Sequence, residues 1–590
     1  MFYRGEKMDR ITKTYITDFL KMQQIKELDE SVQFELFSGY SIISKEYGDT
    51  FDIFDCIVGG GNDCGIDVLG IIVNDRLISS EEELEDILSI SSAIRNTRFI
   101  FIQAKTSANF SASEIGNFGV GVCDFFSETP KMKRNEQITD RAKIVDLLIS
   151  KLPNMKERPE CLLYYVTTGK WTNDQTLAGR ISVVKDDLMR TGIFKNVNFC
   201  PVDADLIQKY YSYTKDSISR TFEFNSRIQL PDIHNVVEAY LGILPLKEYV
   251  KLITDEEGGI IKHIFYDNVR DFLGENPVNG EINETLLGSN PDKFVLLNNG
   301  VTVVCKELTY VRNTFSISDY QVVNGCQTSH VIYKNKDKEN LNNVFLPIKI
   351  ISSSNEDTIN EIIRATNRQT EVLDEQFIAL SGFHKKLESF YNTFEGNKRL
   401  YYERRSKQYS YQDDVEKVRV VTINTQLKAF ASMFCDKPYN ASRYYGRLVK
   451  DIDDIFSLKH ELMPYYTSSF ALYKLEYLFR SKNIDIKFRK YRFHILMMLK
   501  YIINGETKMP PFNSRKIVSY CDQINHLIYD QDRYLIVVEE IIGILENVIG
   551  DISDSENTKK QIWNEKLIDA AIEQRDEIKG VISLTQPWVQ

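Results

Sequence analysis

CGIDVLGIIV (residues 64–73) and RFIFIQAKTS (residues 98–107) are the two stretches on which the reading of this chain turns. The first is short, rich in β-branched residues and preceded by the turn-forming run Gly59-Gly60-Gly61-Asn62-Asp63, so it predicts a buried strand. Asp67 opens the apolar face shared by Leu69 and Ile71. A carboxylate in that place is costly unless it is paired or binds a cation. In the second stretch the two-residue period of a strand puts Phe99, Phe101, Gln103 and Lys105 on one face. Two large apolar residues thus lead into an amide and an amine.

Working outward, Asp29 or Ser31 can cap a helix that starts near Val32. Val32, Leu36, Tyr40 and Ile43 form its apolar stripe, and Glu35 lies at the edge of that stripe. Ser79–Ile90 is predicted to be an inserted helix, capped by Ser79 or Ser80 and carrying glutamates in its first turn. Leu162–Thr168 and Val197–Pro201 are predicted strands, and Asp203–Tyr211 a helix that closes the module.

Phosphodiester hydrolysis needs one or two divalent cations, an activated water and positive charge near the transition state. Asp67 suits the principal metal ligand, and Gln103 a second ligand through its side-chain carbonyl. The backbone carbonyl of Ala104 can add an oxygen, and Glu35 can hold a second metal or a metal-bound water. Lys105 is placed to orient the attacking water. Hard oxygen donors select Mg²⁺ or Mn²⁺. Asp63 is a second candidate for the acidic position. The plain alternative is that Lys105 snorkels at a strand end and Asp67 caps a turn.

The order of a helical Glu35, then GID on a strand, then QxK on the next strand resembles the PD-(D/E)XK nuclease superfamily. It is most similar to the Mrr-like branch, in which a Gln replaces the second acidic residue. The long insertion between Asp67 and Gln103 departs from compact members. The resemblance implies an α/β restriction-endonuclease-like domain over residues 1–220, with a central mixed sheet flanked by helices. It also implies a dimer, since such domains often act in pairs.

From about Leu230 the pattern changes. Val236–Leu241 and Leu246–Ile253 have helical spacing, and VLLNNGVTVV predicts strand, turn and strand with Asn299-Gly300 as a hairpin turn. Four polar signatures follow one another: NVRDFLG (268–274), LNNGVT (297–302), QVVNGCQT (321–328) and ATNRQ (365–369). With YYERRSK (401–407), these resemble the AIPR family, named for abortive-infection phage resistance, over residues 231–410. The resemblance implies an antiphage role and an α+β domain, placed at residues 221–410. Asn268, Arg270, Asn299, Asn324, Gln327, Asn367 and Gln369 either converge on a pocket for a base edge or phosphate, or form a polar network that fixes the loops.

From Asp374 the pattern is mainly helical, and residues 411–590 are read as a helical C-terminal region. KRLYYERRSK, RYYGRLVK and KFRKYRFH mix basic and aromatic residues. Arg404, Arg405, Lys487, Arg489, Lys490 and Arg492 are therefore candidate nucleic-acid contacts, with a solvated helix face as the bland reading. Tyr534–Ile549 is apolar but interrupted by Glu539, Glu540 and Glu546, which predicts an amphipathic helix. Asp551–Glu556 is predicted to be an exposed acidic linker.

Composition bounds the rest. The chain has 590 residues and a net charge of −11, so any DNA contact relies on local basic patches. Its nine cysteines form no CxxC pair and no zinc-like spacing with His, which argues against a structural zinc and against a disulfide framework. No signal peptide, membrane span, Walker A motif or GxGxxG is present. The expectation is a cytoplasmic defence endonuclease acting on phage or modified DNA, restrained by a small-molecule or phage-protein trigger or by oligomerisation. The rivals are a type IV-like enzyme that cuts modified DNA directly, and a non-catalytic binding or sensor scaffold.

Overall fold

The computed structural model describes residues 8–590 apart from 27, 91–93, 153–154, 216–217, 256–257, 266–276, 289, 339–342, 368–381, 405–407, 411, 413, 444–454, 506–508, 553–556, 559, 579 and 581–590. The chain divides into two compact units. The first comprises Met1–Tyr40, Phe51–Gln208 and Ser381–Gln590, and the second Ser41–Thr50 and Lys209–Leu380. The N-terminal module and the C-terminal helices therefore share one unit, interrupted by the other.

The N-terminal part of the first unit is built on a five-stranded sheet in the order β2-β1-β3-β4-β5. Its strands are β1 (Val68–Val73), β2 (Arg76–Ile78), β3 (Thr97–Lys105), β4 (Glu160–Thr167) and β5 (Asn196–Val202). β1 runs antiparallel to β2 and β3, whereas β3, β4 and β5 are parallel. β1 and β2 form a hairpin whose turn, Asn74-Asp75, has φ of 48° and 61°. Two left-handed residues make the turn that matches strand twist, and Asn and Asp tolerate it. This hairpin and the helix after it make up the insertion between Asp67 and Gln103.

Helices α1 (Arg10–Met22), α2 (Glu30–Glu46), α3 (Glu81–Ile90), α4 (Ala112–Phe125), α5 (Glu136–Ser150), α6 (Gln175–Arg190) and α7 (Ala204–Ser212) accompany the sheet, the last turns of α2 and α7 falling in the second unit. Ser80 caps α3 by accepting the Glu83 N–H, as its sequence predicts, while Glu83 accepts the Ser79 N–H in return. α2 starts at Glu30, and Val32 is 36% exposed. Its apolar contact is therefore made by Phe34, Leu36 and Phe37 rather than by a stripe that begins at Val32. α4, α5 and α6 are not assigned by the strand-led sequence reading. Their apolar residues, including Ile115, Phe118, Val122, Ile144 and Leu148, close the core over Phe99 and Phe101.

The second unit holds a six-stranded sheet in the order β6-β10-β9-β11-β8-β7. It contains β6 (Ser219–Glu223), β7 (Ser226–Gln229), β8 (Glu238–Pro245), α8 (Leu246–Ile253), α9 (Pro277–Leu287), α10 (Phe294–Leu297), β9 (Val301–Val311), β10 (Thr314–Asn324), α11 (Cys326–Lys334), β11 (Phe345–Ser352) and α12 (Glu356–Asn367). The two edge strands, β6 and β7, are consecutive in the chain and separated only by Phe224 and Asn225. One face packs Phe222, Phe224, Tyr240, Phe315 and Ile348 into the larger core. The other packs Val304, Val323 and Ile351 with residues of α12.

Two sequence expectations change in this unit. Val236–Leu241 runs into strand β8 rather than a helix, because Ala239 and Leu241 face the opposite side from Tyr240. VLLNNGVTVV begins with the helical turn α10, with Leu296 and Leu297 81% and 68% exposed, not with a strand. Gly300 there has φ +82° and leads directly into β9.

The remainder of the first unit contains α13 (Gly382–Tyr391), β12 (Tyr401–Glu403), β13 (Val420–Thr422), α14 (Ile423–Phe434), α15 (Pro438–Arg443), α16 (Met463–Arg480), α17 (Arg492–Asn504), α18 (Lys516–Tyr529), α19 (Gln531–Ile549) and α20 (Ile562–Glu573). α17 is buried at every position from Phe493 to Ile503. A helix apolar all round belongs at the centre of a bundle, and α14, α15, α16, α18, α19 and α20 all pack on it. α19 is the amphipathic helix expected at Tyr534–Ile549. Among the described residues no helix is long and apolar enough to cross a membrane. Most of Asp551–Glu556 lies outside the described residues; Ile552 within it is buried.

Candidate active site

The site forms where β1 begins and β3 ends. The antiparallel register pairs Val68 with Ile102, so Asp67 comes level with Gln103. The Asp67 N–H donates to Ile102 O at 3.0 Å, and the Ala104 N–H donates to Asp67 Oδ2 at 2.8 Å. The other side of Asp67 is held by its own carbonyl, which accepts from the Val58 and Gly59 N–H groups, both at 3.0 Å. The sheet hydrogen bonding therefore fixes this carboxylate before any ligand arrives.

Glu35 reaches the same place from α2. Gly39, one turn further on, lets the helix sit close to the sheet: a Cβ there would lie 2.8 Å from Val68 Cγ2. Asp67, Lys105 and Asp63 all lie near enough to act on the Glu35 charge. Burial first, and then the Asp67 charge, push the Glu35 carboxyl up to about 7, with Lys105 opposing. Burial also pushes Asp67 up to about 6, against the Ala104 N–H and Lys105. Two carboxyls are thus held close together in a partly dry site, where a bound cation would favour their ionised forms.

Asp63 has another role. Its Oδ2 accepts from the Gly60 and Gly61 N–H groups at 3.3 and 3.1 Å, and its Oδ1 from Gly65 at 2.9 Å. It organises the glycine turn, which leaves Asp67 as the acid at the sheet.

Gln103 is 6% exposed, and among the described residues nothing donates to its Oε1. A buried carbonyl oxygen without a donor is costly, and a cation is one partner that would satisfy it. Among the described residues no three His, Cys, Asp or Glu side chains are gathered for a metal. A cation site here must therefore include a neutral oxygen, and Gln103 Oε1 supplies one. Asp67, Glu35 and Gln103 offer only oxygen donors, which fits Mg²⁺ or Mn²⁺. Lys105, the last residue of β3, is half-buried beside them.

Two neighbours escaped the sequence reading. Tyr165 stands in register with Gln103 on β4, and its hydroxyl donates to Glu114 Oε2 at 2.6 Å. The two-residue period of LLYYVTT puts Tyr165 on the Gln103 face. Ser111-x-x-Glu114 has the form of a capping box, but Tyr165 takes the Glu114 carboxylate.

The basic candidates of the C-terminal region have other partners. Arg489 is 9% exposed and donates to Asp52 at 2.7 Å, Asp55 at 2.5 Å and Glu476 at 2.8 Å. Lys490 pairs with Glu136 at 2.8 Å, Arg492 with Glu476 at 3.5 Å, and half-exposed Lys487 with Glu546 at 3.6 Å. Arg404 is buried against Glu388 at 2.7 Å, and Arg405 lies outside the described residues. Arg489, Lys490, Arg492 and Arg404 thus join parts of the protein to one another, while Lys487 stays half-exposed in its pair with Glu546. Sequence composition could not separate the two cases, because both place basic residues among aromatics.

In the second unit, Asn298 rather than Asn299 makes the contacts. Its Oδ1 accepts the Gly300 N–H at 2.9 Å, and its Nδ2 donates to Thr328 Oγ1 at 3.1 Å. Asn299 is exposed. Asn324 Nδ2 donates to Thr366 O at 2.9 Å, and Gln327 is half-buried at the start of α11. These bonds bring LNNGVT, QVVNGCQT and the start of ATNRQ together, and they fix loops. Asn268, Arg270, Gln369 and the Asn367 side chain lie outside the described residues.

The fold and this geometry define a two-unit chain with an oxygen-donor site on a mixed α/β sheet. The family model described as AIPR protein matches residues 265–574, more than half of the chain, and the chain belongs to that family. Membership suggests a role in phage defence. Neither the curated proteins nor the solved structures compared with it give a match.

Proposed function

We propose that this AIPR-family chain is a phage-defence nuclease that hydrolyses DNA with Mg²⁺ or Mn²⁺ at Asp67, Gln103 and Glu35. The observation that carries the reading is the buried Gln103 Oε1, without a donor among the described residues, beside Asp67, with Lys105 two residues further along the same strand. The restriction-endonuclease-like fold and the Mrr-like assignment belong to the same proposal. The mixed sheet, the helical acid on α2 and the D…QxK order support it.

A divalent cation bound there would supply Lewis-acid stabilisation and acidify a water. The protein's own residues do the rest. Asp67 is held rigid by the Ala104 N–H and by its sheet bonds, so it holds its place without reorganising. Lys105 carries positive charge at the strand end, where it orients the attacking water and offsets charge gained by the phosphate. Glu35, reaching the site from α2, would hold a second cation or a water bound to the first. The family's role in defence makes phage or modified DNA the substrate.

The test is cleavage of phage and plasmid DNA with Mg²⁺ or Mn²⁺, wild type beside Lys105→Ala. Cutting by the wild type and not by the variant supports the proposal. Wild-type cutting that equals the variant's sinks it.

A further inference from the structure

β3 and β4 are parallel, so the loops that leave them emerge together at the end that carries Lys105. The two loops are tied to each other. The Thr168 N–H donates to Ser107 O at 3.1 Å, and Thr168 Oγ1 donates to Thr106 O at 3.0 Å. Gly169 passes so close to Ala108 that an added Cβ would lie 1.6 Å from the Ala108 carbonyl oxygen. Each loop then presents one large ring, Phe110 from the first and Trp171 from the second.

The rings form a short series that starts at the site. Tyr165 stands beside Gln103 in the ladder. Phe110 lies 6.0 Å from the Tyr165 ring, and Trp171 lies 4.9 Å from Phe110 at 76°. Tyr165 is fully buried, whereas Phe110 and Trp171 are half-buried. Trp171 is anchored by its own backbone, whose N–H donates to Asp203 Oδ2 at 3.1 Å. Lys170, next to it, is 77% exposed and lies 3.3 Å from an equally open Asp205.

Rigidly held aromatic faces beside a cationic strand end are the elements that bind unpaired nucleotides, rings for bases and amines for phosphates. A duplex keeps its base faces stacked inside and has none to offer such a surface. We infer that Phe110 and Trp171 form a stacking platform for an unpaired nucleobase next to the scissile phosphate, so that the substrate strand is single-stranded at the site. This rests on the nuclease reading above and narrows its substrate. The shared chemistry, an unpaired base on a phosphodiester chain, exists in both DNA and RNA.

The sequence has three tryptophans. In a full-length Trp563→Phe, Trp588→Phe variant, emission reports Trp171 alone. Titration in EDTA with ten-nucleotide oligo(dT), oligo(rU) and a duplex of equal length reads binding apart from chemistry. The expected result is saturable quenching by at least one single strand, with duplex at least about ten-fold weaker; the dT and rU arms separate DNA from RNA. Polarisation of labelled oligonucleotide gives a second measurement in the otherwise wild-type chain. There Trp171→Leu is expected to weaken single-strand binding about ten-fold and Trp171→Phe to restore most of it. A ring that acts only by packing on Phe110 would lower the Tm of Trp171→Leu together with its binding, whereas weakened binding at an unchanged Tm is the expected result. Absent quenching, equal binding of duplex, or a Leu variant that binds like wild type overturns the proposal. Because these readings need no metal, they can stand or fall separately from the Lys105→Ala cleavage result.

Discussion

Arg489 Nη2 donates to Asp52 Oδ2 at 2.7 Å across a separation of 437 residues in the sequence. The same guanidinium reaches Asp55 and Glu476, so one buried cation joins the C-terminal helices to the segment that leads into the candidate site. Burial opposes ionisation of Asp55, yet Arg489 and Arg492 hold its carboxyl down at about 2. From Asp55 the chain runs through Cys56, whose carbonyl accepts the Leu69 N–H, to Val58 and Gly59, which bond the Asp67 carbonyl.

Arg489→Met is therefore expected to leave buried carboxylates without their cation. The loss should be about 3–5 kcal/mol, read from the urea midpoint. A loss under about 1 kcal/mol would mean that water replaces the guanidinium freely.

Gln103→Leu removes a buried acceptor that has no donor among the described residues, at nearly constant volume. Without metal the variant should be as stable as wild type or more stable, by about 1 kcal/mol. Added Mn²⁺ should raise the Tm of the wild type and leave that of the variant unchanged. A variant that still gains stability from Mn²⁺ would remove Gln103 from the site.

Asp67→Asn keeps an oxygen that can accept the Ala104 N–H and removes the buried charge. The fold should persist with an unchanged or higher Tm in EDTA, since burial already disfavours the carboxylate. Stabilisation by Mn²⁺ and DNA cleavage should both be lost. Unfolding of this variant would instead mark Asp67 as a purely structural acid.

His494 is fully buried on α17, with neither ring nitrogen partnered among the described residues, and burial pushes it down to about 4. The unfolded chain then binds a proton that the folded chain refuses. This group's contribution is complete above about pH 6.5 and is lost as the pH falls toward 4, by about 3 kcal/mol in all. His494→Leu should remove that part of the acid sensitivity, so its gain in urea midpoint over wild type should be larger at pH 5 than at pH 8. An equal difference at both values would show that His494 does not titrate in this range.

Gly300 has φ +82°, and a Cβ would meet the Pro347 carbonyl oxygen at 2.5 Å. Gly300→Ala should cost at least about 2 kcal/mol, measured by thermal unfolding, because both the backbone conformation and the space exclude a side chain.

Local signals were legible where one face and one period decide the outcome. β1, β3, β4 and β5 follow from apolar runs bounded by turns, and the common placement of Asp67, Gln103 and Lys105 follows from two-residue spacing. The second unit misled where burial differs from hydropathy. Leu296 and Leu297 look like strand core yet are exposed, and Val236–Leu241 mimics a helix only while its pairing with β11 is unknown. Long-range pairing was illegible for the same reason. Nothing beside Arg489 in the sequence indicates that its partners lie near residue 50, and nothing in LLYYVTT announces that Tyr165 will stand beside Gln103.

The split first unit also has a consequence during synthesis. Asp55 emerges from the ribosome 434 residues before the arginine that pairs with it. At about 5–20 residues per second, translation takes on the order of 20–90 s to supply that partner. Until then the nascent N-terminal module lacks the ion pair that ties its Asp55 segment to the rest of the unit. A product truncated before residue 489 keeps the segment that leads to Asp67 but lacks the cation that joins it to the C-terminal helices.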